Sequence, residues 1–378
     1  MGREVVRTYL GNINPQNELF PFIRERNGSI AERIARYQGS QYNPDPLMGA
    51  PIDKTFIVPG ATLTREQGAE LMIERVEDFY GGMAPTLDYV GKTILHPTSA
   101  LVRPNYYDGT VAEFARHVDR AGLTIPGQTV FSKDEALDFF DGRDNKFDKP
   151  FSLRLKTPND SDGKGQEAIE NTEHLAYLLT HYPDEIIAQN GLVLEQNLIG
   201  DKKTVSAGRF MLGEDIYSFI ADQQNDMHEG RDRYTGAHNV QVVSGDLDKL
   251  DAFLSHLTSP NDPRAVLVSN IHTFDREYRE SFPITASRLS YDHLSGFDTN
   301  GKPVGGITDI TARMGGSCPA LVLSALHLQE NQNQEAVGAQ VNLNYNPAVK
   351  QDYETGEGVI FFMDQKPLRI SAKIDNIY

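Results

Sequence analysis

Residues 309–316 read DITARMGG, and the polar side chains recur at every second position: Asp309, Thr311 and Arg313. Successive side chains of a strand point to opposite sides, so a carboxylate, a hydroxyl and a guanidinium here share one face. Upstream, Asn300-Gly301 separates two alternating runs. That is the pattern of a tight hairpin, because a type I′ turn needs positive φ at both central residues. With those two as the turn centre, Asp292 falls directly opposite Asp309. Like charges across a sheet repel, so the pair wants a cation between them, or one carboxyl keeps its proton. Mg²⁺ suits such donors, since it takes one or two carboxylates and completes its shell with water and phosphate oxygens. A solvated face with a wider turn, or a bulge at Gly305-Gly306 that breaks the register, is the competing reading.

A second chemical stretch is PFSLRLKTPNDSDGKGQ, residues 150–166. Alternation puts Phe151, Leu153 and Leu155 on one face of a strand, with Arg154 and Lys156 on the other. The strand runs into a loop holding Gly163 and Gly165, which can bring backbone N–H groups to a polyphosphate that Lys156 reaches as a point charge. A surface turn explains the same glycines. The loop is neither GxxxxGK[ST] nor GxGxxG, and the chain has no HExxH and no GxSxG. A Ca²⁺ loop is excluded by Pro158 at the first ligand position and Ile169 at the twelfth. Cys318, beside an apolar helix, reads as a structural thiol.

The elements that must position these residues alternate between helical and strand-like, which predicts a mixed α+β architecture. Thr64 with Gln67 forms a capping box, Ser132 with Glu135 another, and DGTVAEFARHVDRAG reads as a helix closing at Gly122. GLVLEQNLIG is a buried strand, TVSAGRFMLGEDIYSFIADQQ a hairpin, and the longest sheet signal lies in residues 286–314, before a helix from Pro319. These shifts divide the chain into an N-terminal α/β unit (1–121), a small middle unit (122–196) and a C-terminal unit (197–378). The 378-residue chain is long enough for two or three cores. A net charge of −17 argues against a nucleic-acid binder. A single cysteine rules out an intramolecular disulfide framework. With no long apolar window and no signal-peptide layout at the start, the expectation is a cytoplasmic protein with no membrane partner.

The order of helix, GLTIPGQTVFSKDEALDFF, strand with Lys156, glycine loop, helix, GLVLEQNL, long sheet, Asp292 and DITARMGG resembles the ATP-grasp superfamily. Within it the chain is most similar to an ATP-grasp-like family catalogued as a domain of unknown function, through YTGAHNVQVVSGDLDKL and YDHLSGFDTNGK. FIVPGATLT, FYGGMAP and GKTILHP extend the likeness into the N-terminal unit. The resemblance implies ATP held between a small lid unit and a larger C-terminal antiparallel-sheet unit. Lys156 would contact the α and β phosphates, with the loop from Asp160 through Gly163 to Gly165 folding over them. Lys92, in GKTILHP, would be a second nucleotide lysine. Glu195, Gln196 and Leu198 would form the adenine-facing hinge. Asp292 and Asp309 would hold Mg²⁺, and Arg313 would stabilise phosphate or an acyl phosphate. Two positions depart from the family pattern. Asp309 and Thr311 stand where a glutamate and an asparagine are usual, and Lys202 stands where an acid usually binds ribose.

The resemblance therefore implies an ATP- and Mg²⁺-dependent ligase joining a small-molecule carboxylate to an amine. Phosphoryl transfer to a small molecule, or nucleotide binding without ligation, are the alternatives. A homodimer is the base-rate expectation.

Overall fold

The computed structural model describes residues 4–11, 13, 15–16, 20–47, 55–142, 152–159, 165–228, 231–257, 263–344 and 369–378. Its largest element is a seven-stranded antiparallel sheet. The strands lie in the order Pro303–Thr311, Arg288–Phe297, Ile199–Leu212, Asp215–His228, Arg231–Ser244, Ala336–Asn344 and Arg369–Ile377. Helices cover both faces. Phe210, Phe219 and Val242 on one face pack with Ile30 and Ile34 of helix Phe20–Gln38 and with Leu321 of helix Cys318–Glu330. Ala207, Ile220 and Tyr291 on the other pack with Phe114 of helix Gly109–Arg120, Leu250 of helix Leu247–Leu257 and Phe274 of helix Pro263–Ser281. Along strand Ile199–Leu212, Ser206 lies on the face of Phe210, four residues on. The apolar face thus gives way to polar side chains at one end of the sheet, and the cleft forms there.

A separate four-stranded antiparallel sheet, in the order Gly127–Val130, Leu192–Gln196, Leu153–Lys156, Gln166–Ile169, has its own core built on Val130, Leu153, Leu155 and Leu194. A parallel sheet near the N-terminus, Gln41–Tyr42, Val5–Tyr9 and Thr55–Pro59, packs on helix Phe20–Gln38. The predicted caps are present. Thr64 Oγ1 accepts from Gln67 N–H at 3.2 Å while Gln67 Oε1 accepts from Thr64 N–H at 3.0 Å. Ser132 Oγ accepts from Glu135 N–H at 3.2 Å. No helix among the described residues is long and apolar enough to cross a membrane.

Two expectations are corrected. The longest strands, of 14 residues, are the three between Ile199 and Ser244; the two between 288 and 311 have 10 and 9. Polar stretches disguise the long strands: QQND stays paired with the neighbouring strand after the apolar core has ended, and GDKK spans an irregularity between the pairs Ile199/Phe297 and Lys203/Ser295. The hairpin turn also differs from a two-residue type I′ turn. Asp298 N–H donates to Lys302 O at 2.9 Å and Gly301 N–H to Asp298 O at 3.0 Å, so three residues form the loop, with Gly301 at φ +77°. That register alone would move Asp309 away from Asp292. A bulge at Thr308, between the pairs His293/Ile307 and Asp292/Asp309, restores the facing carboxylates.

Candidate active site

The cleft lies between the four-stranded sheet and the polar end of the large one, with a volume of about 730 Å³. Leu153 and Leu155 are locked into the smaller sheet's core, and alternation therefore turns Arg154 and Lys156 into the cleft. Lys156, 3 % exposed, is hydrogen-bonded by Glu195 on the adjacent strand and by Thr308 from the bulge. Thr308 Oγ1 also lies 3.0 Å from both Glu195 oxygens. His96 Nε2 stands 3.3 Å from Glu195 Oε2 on the side away from Lys156. Burial works against a charged Glu195, but Lys156 and His96 outweigh it and hold its carboxyl below the ordinary range. Burial lowers the Lys156 ammonium, Glu195 opposes that fall and Lys92 adds to it.

Lys92 opens a short 3₁₀ turn, Lys92–Leu95, and is buried with Nζ 3.5 Å from Asp309 Oδ2. Its N–H donates to Pro158 O at 3.1 Å, which sets it at the foot of the segment entering the glycine loop. Thr157 N–H donates to Gly165 O at 2.9 Å, and Gly165 has φ +62°. Asp160 and Gly163 lie outside the described residues.

Asp292 and Asp309 face each other across the hairpin. Asp292 Oδ1 accepts from Ser206 Oγ at 2.5 Å, and Ser206 in turn accepts from Gln223 Nε2 at 2.6 Å. Desolvation and then the charge of Asp309 push the Asp292 carboxyl above its ordinary value, and the hydrogen bonds from Ser206 and Gln223 only partly offset this. The pair is thus short of positive charge, with Lys92 at one edge. Among the described residues no cluster of three or more His, Cys, Asp or Glu side chains forms. The two carboxylates and the hydroxyl of Thr311, which lines the same cleft, are the oxygen donors that could hold a cation. They fit Mg²⁺, which keeps water or phosphate oxygens in most positions. Arg313 lines the same cleft, its Nη1 donating to Met314 O at 3.4 Å.

Gln196, Leu198 and Lys202 also line the cleft. Gln196 N–H is taken by Pro126 O at 2.8 Å, and Leu198 is buried. The Glu195 side chain is committed to Lys156, so any contact of its own with a ring would come through its backbone. Sequence reasoning missed His96, Thr308, Ser206, Gln223 and Arg288. His96 stood in the quoted GKTILHP, but Thr308 falls on the wrong side of a regular strand and gave no signal.

A two-layered cleft of this kind, roofed by a four-stranded sheet and floored by a large antiparallel one, is the ATP-grasp fold. The structure of N5-carboxyaminoimidazole synthetase from Staphylococcus aureus superposes with a TM-score of 0.50 at 8 % identity, covering 99 % of this chain and 94 % of that one. N5-carboxyaminoimidazole ribonucleotide synthetase from Thermus thermophilus gives 0.50 at 10 % identity, covering 98 % and 93 %. Among curated proteins, none matches the sequence. The chain belongs to the family described as "Protein of unknown function (DUF3182)", which it matches over residues 22–373.

Proposed function

We propose that this protein is an ATP- and Mg²⁺-dependent carboxylate–amine ligase that releases ADP. One observation carries the reading: Lys92, Lys156, the Asp292–Asp309 pair and Arg313, from separate parts of the chain, line a single cleft on an ATP-grasp fold. Residues 122–196 act as the lid over the nucleotide. Lys156 and Lys92 offset the phosphate charge, and Glu195, Gln196 and Leu198 border the base, with Lys202 toward the ribose. Asp292, Asp309 and Thr311 would hold Mg²⁺, which when bound neutralises phosphate oxygens. The substrate carboxylate attacks the γ-phosphorus and ADP leaves. The amine then attacks the acyl phosphate carbonyl, and phosphate departs as the amide forms. Arg313 offsets charge on the transferred group. This chemistry asks for positioning and charge compensation more than covalent help from the protein.

The test is ADP release by the full-length chain with pooled carboxylates and amines, followed by mass spectrometry of the product. A new amide is expected. A stable phosphorylated acceptor with no amide would replace the reading by phosphoryl transfer. Tight Mg-ATP binding with no ADP formed across the panel would favour a nucleotide-binding protein without ligase activity. Thr311 and Lys202, both poorer than the residues usual at these positions, favour that second reading.

A further inference from the structure

Beyond the carboxylate pair, the cleft holds more positive charge than phosphate transfer uses. Arg288 is 2 % exposed, yet it lines the cleft. Its Nη1 donates to the carbonyl oxygens of Thr311, at 3.1 Å, and Arg313, and Nη2 donates to Ser290 Oγ at 3.1 Å. All three acceptors are neutral, and Nε has no hydrogen-bond partner among the described residues. No carboxylate there lies within ion-pair distance of it; Asp292 feels it only at longer range. Tyr80 cannot supply the missing charge, because burial and the neighbouring Cys318 push its hydroxyl well above the ordinary value. A buried guanidinium without a counter-charge is costly, and a ligand anion would relieve it.

The adjoining backbone has the same character. Arg313 likewise has no carboxylate within ion-pair distance among the described residues. The 13-residue helix Cys318–Glu330 begins beside it, and the Ser317 side chain makes no capping bond. Gly315 N–H is taken by Cys318 Sγ at 3.2 Å, but the N–H groups of Gly316 and Ser317 have no partner among the described residues. Free amides at a helix start favour an anion. A Cβ at Gly316 would stand 2.1 Å from the Tyr234 ring, so that ring packs directly on the bare turn, and both line the cleft.

We propose that Arg288, Arg313 and the Gly316 and Ser317 amides form a subsite for a second anionic group on the substrate, which is therefore a dianion: a dicarboxylic acid or an acid bearing a phosphate. This rests on the ligase reading only for what happens to the other carboxylate. Arg313 is shared with the transferred group, so Arg288 and the two amides are what remain for a further negative charge. Arg also suits the task, because its planar fork matches carboxylate and phosphate oxygens.

Calorimetry on the full-length wild-type chain at constant ionic strength tests it, with acetate, malonate, succinate, glutarate and inorganic phosphate as probes and Mg-ADP titrated separately. At least one dianion should bind tenfold or more tighter than acetate, and the best probe separates a dicarboxylate from a phosphate. Arg288→Gln should reduce that preference to the acetate level while Mg-ADP affinity stays within twofold. Equal binding of acetate and every dianion by the wild type overturns the proposal, whether or not Arg288→Gln folds. So does a folded Arg288→Gln protein that keeps the preference. Dianion preference without any Mg-ADP binding would instead remove the ligase reading and leave the anion subsite standing.

Discussion

Thr308 and Asp309 are neighbours in the chain, and both turn into the cleft. The bulge opposite Asp292 and His293 interrupts strand alternation there, while Ile307 and Ile310 on either side stay in the core beneath. One irregular residue thus aims a hydroxyl at the lysine–glutamate pair and a carboxylate at its partner aspartate. Thr308→Val keeps the shape and removes the hydroxyl. Denaturant unfolding should show a loss of about 1–3 kcal/mol, the usual cost of leaving buried polar groups without a partner. Unchanged stability together with unchanged nucleotide affinity would show the hydroxyl to be incidental.

Lys156 and Glu195 are both buried, so removing either leaves a lone charge. Lys156→Met or Glu195→Gln should each cost about 3–5 kcal/mol, and the double substitution should recover part of it. The pH dependence has a definite sign. Because the folded-state pKa of Glu195 is depressed from 4.5, its contribution is fully present above that value and is lost as pH falls through the lower folded-state value. Stability of Glu195→Gln should therefore decline less steeply than wild type below pH 4.5 in acid-unfolding curves.

Lys92 lies 3.5 Å from Asp309, so on the proposed function it would both attract phosphate and compete with a metal ion for the same carboxylate. Lys92→Met is expected to weaken nucleotide binding about tenfold, equivalent to about 1.4 kcal/mol. It should also tighten binding of Mg²⁺ alone. Calorimetry with each ligand separately distinguishes these, and a loss of both affinities would assign Lys92 a purely structural part.

Asp292→Asn and Asp309→Ala both relieve the repulsion between the facing carboxylates, but Asp309→Ala also removes the carboxylate paired with buried Lys92. Asp292→Asn, which keeps the shape, should have a metal-free melting temperature at or above wild type, whereas Asp309→Ala, which takes that carboxylate from Lys92, should have a lower one. Nucleotide turnover should fall about a hundredfold or more, the scale seen when a preorganised charge is removed from a reacting group. Turnover near wild type in either variant would sink the metal assignment.

Gly306 has room for no side chain, since a Cβ would lie 2.3 Å from the Thr124 carbonyl carbon. There the segment entering the small sheet crosses the large one, with Ile307 N–H donating to Leu123 O at 2.8 Å. Gly306→Ala should cost about 1–3 kcal/mol through overpacking, read in the unfolding midpoint.

The sequence by itself determined what local rules reach: the caps at Thr64 and Ser132, the strand that turns Lys156 away from Leu153 and Leu155, and the shared face of Asp309, Thr311 and Arg313. It also placed Asp292 opposite Asp309, although through a turn one residue too short and without the bulge that compensates. Only the tertiary structure decided that Lys92 meets Asp309, that Glu195 is the partner of Lys156 with His96 behind it, and that Arg288 lies buried without a counter-charge. Those relationships join residues far apart in the chain. Periodicity and capping are set by the nearest neighbours along the backbone, whereas the charge balance of a cleft is set by whichever segments packing brings together.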